Sequence, residues 1–114
     1  MSAFLVTAAP SFSGQRRRIV DLAARYAMPV MYPWREYVDA GGLMSYGSEL
    51  TWGYNLIGQY AGRVLKGEKP GDLPVQQPTR FKLVFNLNTA KALGLDIENT
   101  APQLSALVDE LIEE

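Results

Sequence analysis

Apolar residues recur along this chain with two spacings, and the switching between them predicts strands and helices in turn. Short apolar runs bounded by turn residues predict strands at residues 3–8, 30–32, 43–46 and 80–87. Segments with apolar residues three and four positions apart predict helices at residues 13–26, 34–40, 50–66, 88–93 and 102–112. This alternation is typical of an α/β domain with a mostly parallel sheet flanked by helices.

Capping and breaking residues support these boundaries. Ser13 and Asn88 have the side chains that cap helix N-termini, and Pro102 suits the first turn of the last helix. Gly41-Gly42 and Gly67 follow predicted helices and favour the left-handed conformation that ends them. In a parallel sheet, ligands bind at the carboxyl ends of strands. The segments after the first three strands are therefore the candidate binding loops, at Ala9–Phe12, Tyr32–Glu36 and Tyr46–Glu49.

Composition narrows the possible partners. The 114 residues suit one domain, and 47% apolar and 20% charged residues are close to globular averages. The net charge of −1 supplies no positive field for nucleic acid or an anionic membrane, so we expect neither partner. With no Cys and no His, the chain lacks disulfides, thiolate metal sites and the commonest general base. The apolar run Ala3–Ala9 follows no basic residues and predicts a buried strand, not a signal peptide.

Catalysis is not predicted. The sequence shows no nucleophile paired with a base and no Gly-rich phosphate loop after the first strand, so we expect neither an enzyme nor a cofactor. A receiver-like or flavodoxin-like signalling domain would share the architecture without catalysis. It would need acidic residues at the end of the first strand, where this chain has Ala8, Ala9 and Pro10. A binding module is the preferred interpretation, with the signalling domain as the alternative.

One long motif carries a family resemblance. The run from Pro29 to Gly47, PVMYPWREYVDAGGLMSYG, resembles the signature of the ABC-transporter substrate-binding family that includes the TrpX-like tryptophan-binding proteins. Further matching segments follow in the same order: RVLKG at 63–67, DLPVQ at 72–76, FKLVFN at 81–86 and TAKALGL at 89–95. Members of this family are much longer and carry an export signal. The chain resembles only their last third.

The resemblance implies a type I periplasmic-binding-protein fold, whose two Rossmann-like lobes hold ligand in the cleft between them. The single α/β domain here would be a partial C-terminal lobe, made of residues 1–46 and 79–95. The helix at 50–66 would belong with the other lobe, and the chain would cross between lobes near Gly47 and near Leu73–Thr79. The implied function is solute binding for an ABC-type importer, with a membrane permease as partner. The family works in the periplasm or elsewhere outside the cytoplasm, although a fragment without a signal peptide would stay in the cytoplasm.

The same resemblance selects the expected ligand contacts, which are Ser11, Phe12, Tyr32, Trp34, Arg35, Glu36, Tyr46 and Gly47. Aromatic walls with a pair of opposite charges suit a small organic solute such as an amino acid. Each contact has a structural alternative. Ser11 and Phe12 can belong to a helix start, Tyr32 can pack in the core, and Arg35 can pair at the surface with Glu36 or Asp39.

The helix at 50–66 also predicts self-association. Its apolar stripe would be covered by the other lobe, which this chain lacks; the stripe consists of Leu56, Ile57, Tyr60, Val64 and Leu65. Soluble monomers seldom expose apolar patches of that size. We therefore expect a homo-oligomer, most simply a two-fold dimer built on this helix face.

Overall fold

A computed structural model describes residues 2–113 and, apart from Thr100, their side chains. Its strands are β1 Phe4–Leu5, β2 Val30–Tyr32, β3 Met44–Ser48, β4 Phe81–Asn86 and β5 Glu110–Ile112. Its helices are α1 Pro10–Gly14, α2 Arg16–Arg25, α3 Arg35–Asp39, α4 Leu50–Leu65, α5 Leu87–Ala92, α6 Ile97–Thr100 and α7 Pro102–Leu107, with a 3₁₀ turn at Pro70–Asp72. The strands form one sheet in the order β1-β2-β3-β4-β5. The predicted class, a mostly parallel sheet flanked by helices, is confirmed.

Strand pairing aligns the ends of the first three strands. β1 pairs with β2 and β2 with β3, both in parallel, and β5 lies parallel to β4. The register places Leu5 beside Met31, and Tyr32 beside Ser45. The segments that follow β1, β2 and β3 therefore leave the sheet at the same edge, as the sequence pattern predicts.

The two faces of the sheet are covered by different apolar clusters. Val30 and Tyr32 of β2 join Val20 of α2 and Tyr37 of α3 in one cluster. Met31, which lies between them in sequence, packs instead against the other cluster. That second cluster is built around Leu43, Leu83, Phe85 and Ala90. This alternation is the period of two expected for a strand covered on both faces.

The chain divides into two compact units. The first comprises the residues up to Gly47 and from Lys82 onward, and contains the sheet. The second is Ser48–Phe81, which consists of α4 and the turn-rich segment after it. One boundary falls at the predicted crossing near Gly47, and the other lies just after the predicted crossing at Leu73–Thr79.

The second unit has its own internal contacts and an apolar groove. The Tyr60 hydroxyl donates to the Pro74 carbonyl at 2.5 Å, and Arg63 pairs with Glu68 at 2.8 Å. α4 and the segment after it line a groove of about 800 Å³, with Ile57 65% and Leu65 88% exposed. The predicted apolar stripe of α4 is therefore largely uncovered within its own unit.

The prediction of a helix over 102–112 is wrong beyond Leu107. The chain turns into β5, because Asp109 exchanges two hydrogen bonds with Leu83 of the neighbouring strand. The Asp109 amide donates to the Leu83 carbonyl at 2.9 Å, and the Leu83 amide donates to Asp109 Oδ2 at 2.8 Å. Ile112 is then buried beside Val38 and Val84. Sheet pairing outweighs the helical spacing of the leucines here.

Two smaller predictions at helix starts are also wrong. The predicted loop Ala9–Phe12 is largely helical, because Pro10 opens the separate short helix α1 and places Ser13 inside it. Asn86, not Asn88, caps α5 by accepting a hydrogen bond from the Thr89 amide at 3.2 Å. At the helix ends, Gly41 and Gly67 adopt φ of 109° and 108°, the left-handed conformation that the sequence predicts for them.

The hydroxyl of Tyr37 provides a test of the core. It is buried and has no hydrogen-bond partner among the described residues. Because an unpaired buried hydroxyl loses its hydration without compensation, Tyr37→Phe is expected to raise the free energy of unfolding by about 1 kcal/mol. Urea unfolding followed by circular dichroism measures the change. A loss of stability would show that the hydroxyl has a partner, such as a buried water molecule.

Gly47 provides a second test, because the backbone there has no room for a side chain. A Cβ atom at Gly47 would lie 2.3 Å from the Pro33 carbonyl oxygen, whereas one at Gly58, inside α4, would meet nothing within 4 Å. Gly47→Ala should therefore destabilise the fold by about 1–3 kcal/mol. The control Gly58→Ala should stabilise α4 by about 0.5–1 kcal/mol. Equal stability of the two variants in thermal unfolding would contradict the close approach at Gly47.

Candidate functional site

The candidate site lies at the edge of the sheet where β1, β2 and β3 end. Pro33 and Trp34 follow β2 directly, and Gly47 is the next-to-last residue of β3. The Gly47 backbone packs against the Pro33 carbonyl, and a Cβ atom there would be 3.8 Å from the Trp34 ring. The structure thus brings two of the three predicted loops into contact, through residues far apart in sequence.

Aromatic side chains are available at this edge. Trp34 is half-buried, and its ring packs against the cluster that contains Tyr32 and Tyr37. Tyr46 is 57% exposed and also takes part in an interaction within the protein. Phe12 is 44% exposed and lines a separate apolar groove with β1 and α2. Trp34 is held by the core, while Tyr46 offers an accessible ring surface.

Tyr32 has a different environment from the other aromatic candidates. It is 1% exposed, and its ring stacks on Tyr37 with centroids 4.9 Å apart and planes at 13°. Burial, together with the nearby Tyr37, raises the pKa of Tyr32 to about 12, so its hydroxyl stays protonated at neutral pH. Tyr32 therefore packs in the core, which is the alternative that the sequence left open for it. A direct contact between Tyr32 and a ligand stays a prediction.

Arg35 is already paired. Its guanidinium, in the first turn of α3, forms ion pairs with Asp39 at 3.5 Å and with Glu110 at the start of β5. Partial burial acts to lower the pKa of Arg35, but the hydrogen bond to Glu110 and the two carboxylates outweigh it and raise that pKa. The pair with Asp39 is one of the surface ion pairs that the sequence allows as an alternative to a ligand contact. No sequence pattern marked Glu110 as a partner, because it lies 75 residues away from Arg35 and was predicted to be helical.

Two polar candidates are exposed. Glu36 lies beside Arg35 in the first turn of α3, where the positive end of the helix favours a carboxylate. Ser11 lies within α1, whose N-cap residue is Ala9 and which has no side-chain cap. Sequence reasoning missed a further groove of about 490 Å³, whose lining includes Lys91, Asp96 and Glu98. No pattern of spacing marked that groove, because it forms where α5 and α6 meet.

The described residues include neither a metal-binding cluster nor a membrane-spanning helix. Within residues 2–113, no three His, Cys, Asp or Glu side chains are grouped so as to hold a metal ion. None of the helices described is both long and apolar enough to span a bilayer.

Solved structures with a similar fold come from bacterial proteins. A conserved domain protein from Vibrio cholerae superposes with a TM-score of 0.81 at 23% identity, over 95% of this chain and 35% of the other. An ABC domain from Streptococcus pneumoniae in complex with L-Trp gives 0.84 at 24%, over 96% and 37%. The ligand-free, open form of a Clostridium difficile substrate binding protein with adhesive properties gives 0.56 at 21%, over 96% and 36%. At these identities the likeness shows the fold, and this chain spans little more than a third of each protein.

Sequence comparison identifies the family. Among curated proteins no match was found. The family model described as ABC transporter substrate binding protein matches residues 3–108, which is nearly the whole chain, and the resemblance carried by the Pro29–Gly47 motif is confirmed. The chain therefore belongs to the ABC transporter substrate-binding protein family.

Proposed function

We propose that this chain is the C-terminal portion of a solute-binding protein that serves an ABC-type importer, and that its ligand is a small organic solute such as an amino acid. The family match over residues 3–108 carries the proposal. The L-Trp bound to the pneumococcal protein supports an amino acid as the ligand class. The role is to hold and release a solute, which requires no bond to be made or broken. The proposed partner is a membrane permease, and the proposed location is outside the cytoplasm.

The proposed ligand contacts lie at the sheet edge formed by β1, β2 and β3. Trp34 and Tyr46 offer aromatic faces beside Gly47, whose backbone packs against the Pro33 carbonyl. Arg35 suits a ligand carboxylate, which would exchange with Asp39 or Glu110, while Glu36 suits a ligand ammonium. Ser11 and Phe12 are also proposed as ligand contacts. Tyr32 is included as a buried residue that would support the Trp34 ring.

A cleft needs two sides, and this chain supplies one of them. Ligand pockets bury most of a small molecule's surface, so contacts from a single lobe hold it weakly. We assign the sheet unit to the C-terminal lobe and α4 to the other lobe, with Gly47 as a hinge between them. The division of the chain into two compact units, with a boundary after Gly47, supports that assignment.

Titration with a panel of amino acids tests the proposed site. We expect weak binding, near the millimolar range, with changes in amide chemical shifts confined to residues 9–12, 33–36 and 46–49. Tyr46→Ala should abolish these changes, whereas Tyr54→Ala, which alters a comparably exposed tyrosine in α4, should leave them intact. Shifts centred on residues 87–98 would refute the site. Micromolar binding measured by calorimetry would refute the claim that one lobe is insufficient.

We also propose that the isolated chain self-associates through the apolar face of α4. Ile57, Val64 and Leu65 are 65%, 38% and 88% exposed, and Val75, which lines the same groove, is 95% exposed. Leaving such side chains in water forgoes roughly 1.5–3 kcal/mol for each one that could be buried. A second copy can cover this face by a two-fold contact, since each chain presents the same surface.

Light scattering on a double variant tests this contact. Ile57→Asp combined with Val64→Asp places charges on the apolar face of α4 and should lower the mass measured at tens of micromolar. Gln59→Asp adds a charge on the opposite side of the helix and should leave the mass unchanged. If wild type and double variant have the same mass, α4 does not mediate association.

A further inference from the structure

The start of β5 lies at the same edge of the sheet as the candidate site. β3 and β4 are neighbours, and the amide of Asn86, the last residue of β4, donates to the carbonyl of Leu43 at 2.8 Å. Leu43 is the residue before β3, so the end of β4 lies beside the start of β3 and the two strands run in opposite directions. Because β5 is parallel to β4, its first residue, Glu110, lies at the edge where β1, β2 and β3 end.

Glu110 joins the candidate site through Arg35. Its carboxylate bonds Nη1 of the Arg35 guanidinium, while Asp39 contacts Nε at 3.5 Å. The two segments meet because α3 lies over the end of the sheet, where Val38 packs against Val84 and Ile112. The side chains of Arg35 and Glu110 are 46% and 34% exposed, so a solute can reach both members of the pair.

This ion pair can be exchanged without much loss of stability. Ion pairs between exposed side chains contribute little to folding, because both partners are well solvated when they separate. A ligand carboxylate can therefore replace Glu110 on the guanidinium at small cost to the fold. Replacement alone, however, would gather the carboxylates of the ligand, Asp39 and Glu110 around one guanidinium. A second positive charge is needed to pair with Glu110.

An α-amino acid supplies that charge in the required place. Its ammonium and carboxylate are attached to one carbon atom, so the two groups that bind them must be adjacent, as Arg35 and Glu110 are. Glu36 follows Arg35 in α3, and successive residues of a helix point in directions about 100° apart and do not face each other. Glu110 is therefore better placed than Glu36 to receive the ammonium.

The geometry points to an exchange of ion-pair partners at Arg35 that selects zwitterionic ligands, with Glu110 as the specificity-determining residue; this inference rests on the proposed function. In the empty site Glu110 occupies the guanidinium. When an α-amino acid binds, its carboxylate replaces Glu110 on Arg35, and its ammonium pairs with the released Glu110. One ion pair becomes two, and no proton or covalent bond is transferred. A solute with only a carboxylate leaves Glu110 unpaired, and one with only an ammonium must compete with Arg35 for it.

Three probes with the same indole ring test the exchange. They are L-tryptophan, indole-3-propionate, which lacks the ammonium, and tryptamine, which lacks the carboxylate. Dissociation constants come from amide chemical shifts during titration, and the wild-type chain should bind L-tryptophan most tightly. Glu110→Gln removes both the competing carboxylate and the ammonium partner. It should strengthen binding of indole-3-propionate and weaken binding of tryptamine by about two- to threefold each, so that the ratio of these two constants changes about fivefold.

Matched variants separate this role from a general effect of charge or folding. Glu113→Gln removes the same charge from an exposed position in the same terminal segment and should leave the ratio unchanged. In a chain that carries Arg35→Gln, adding Glu110→Gln should no longer strengthen binding of indole-3-propionate, because Glu110 acts through Arg35. Glu110→Asp keeps the charge and should keep the wild-type order of the three probes. Urea unfolding of each variant checks that the fold is intact.

Two results distinguish failure of this inference from failure of the proposed function. If the wild-type chain binds L-tryptophan, but Glu110→Gln and Glu113→Gln change the ratio equally, the exchange is refuted and the proposed site stands. If neither the wild-type chain nor any variant binds any of the three probes at millimolar concentrations, the exchange and the proposed site are both refuted.

Discussion

The ring of Tyr32 fixes the position of α3 on the sheet, and the candidate site depends on that position. The ring stacks on Tyr37 of α3 and also packs closely against Gly42, where a Cβ atom would lie 2.7 Å from it. Three elements, β2, α3 and the turn before β3, are thereby packed around one side chain. Trp34 lies between β2 and α3, so its placement follows from this packing.

The sequence pattern was sufficient to predict those elements whose boundaries are marked by nearby residues. β2 and α4 fall within a residue or so of the predicted bounds, because apolar periodicity and a following Gly67 mark them locally. β5 could not be predicted in this way. Its conformation depends on the bonds between Asp109 and Leu83, 26 residues apart, and those bonds leave no trace in the local pattern.

The same distinction applies to the site. Strand order placed the candidate loops at one edge, because parallel neighbouring strands end together. The roles of single side chains could not be predicted, since they depend on contacts between distant segments. Arg35 illustrates this: Asp39 is one helical turn away and was considered, while Glu110 comes from the far end of the chain. Whether Tyr32 faced a ligand or the core likewise depended on where Tyr37 was placed.

The two uncovered apolar faces lie on different units, one along β1 and α2 and the other on α4. Soluble monomers seldom expose apolar surface of that extent, because it gains free energy by contact with any apolar neighbour. The tendency of the isolated chain to aggregate would rise with its concentration, so that its solubility limit would be set by its own fold.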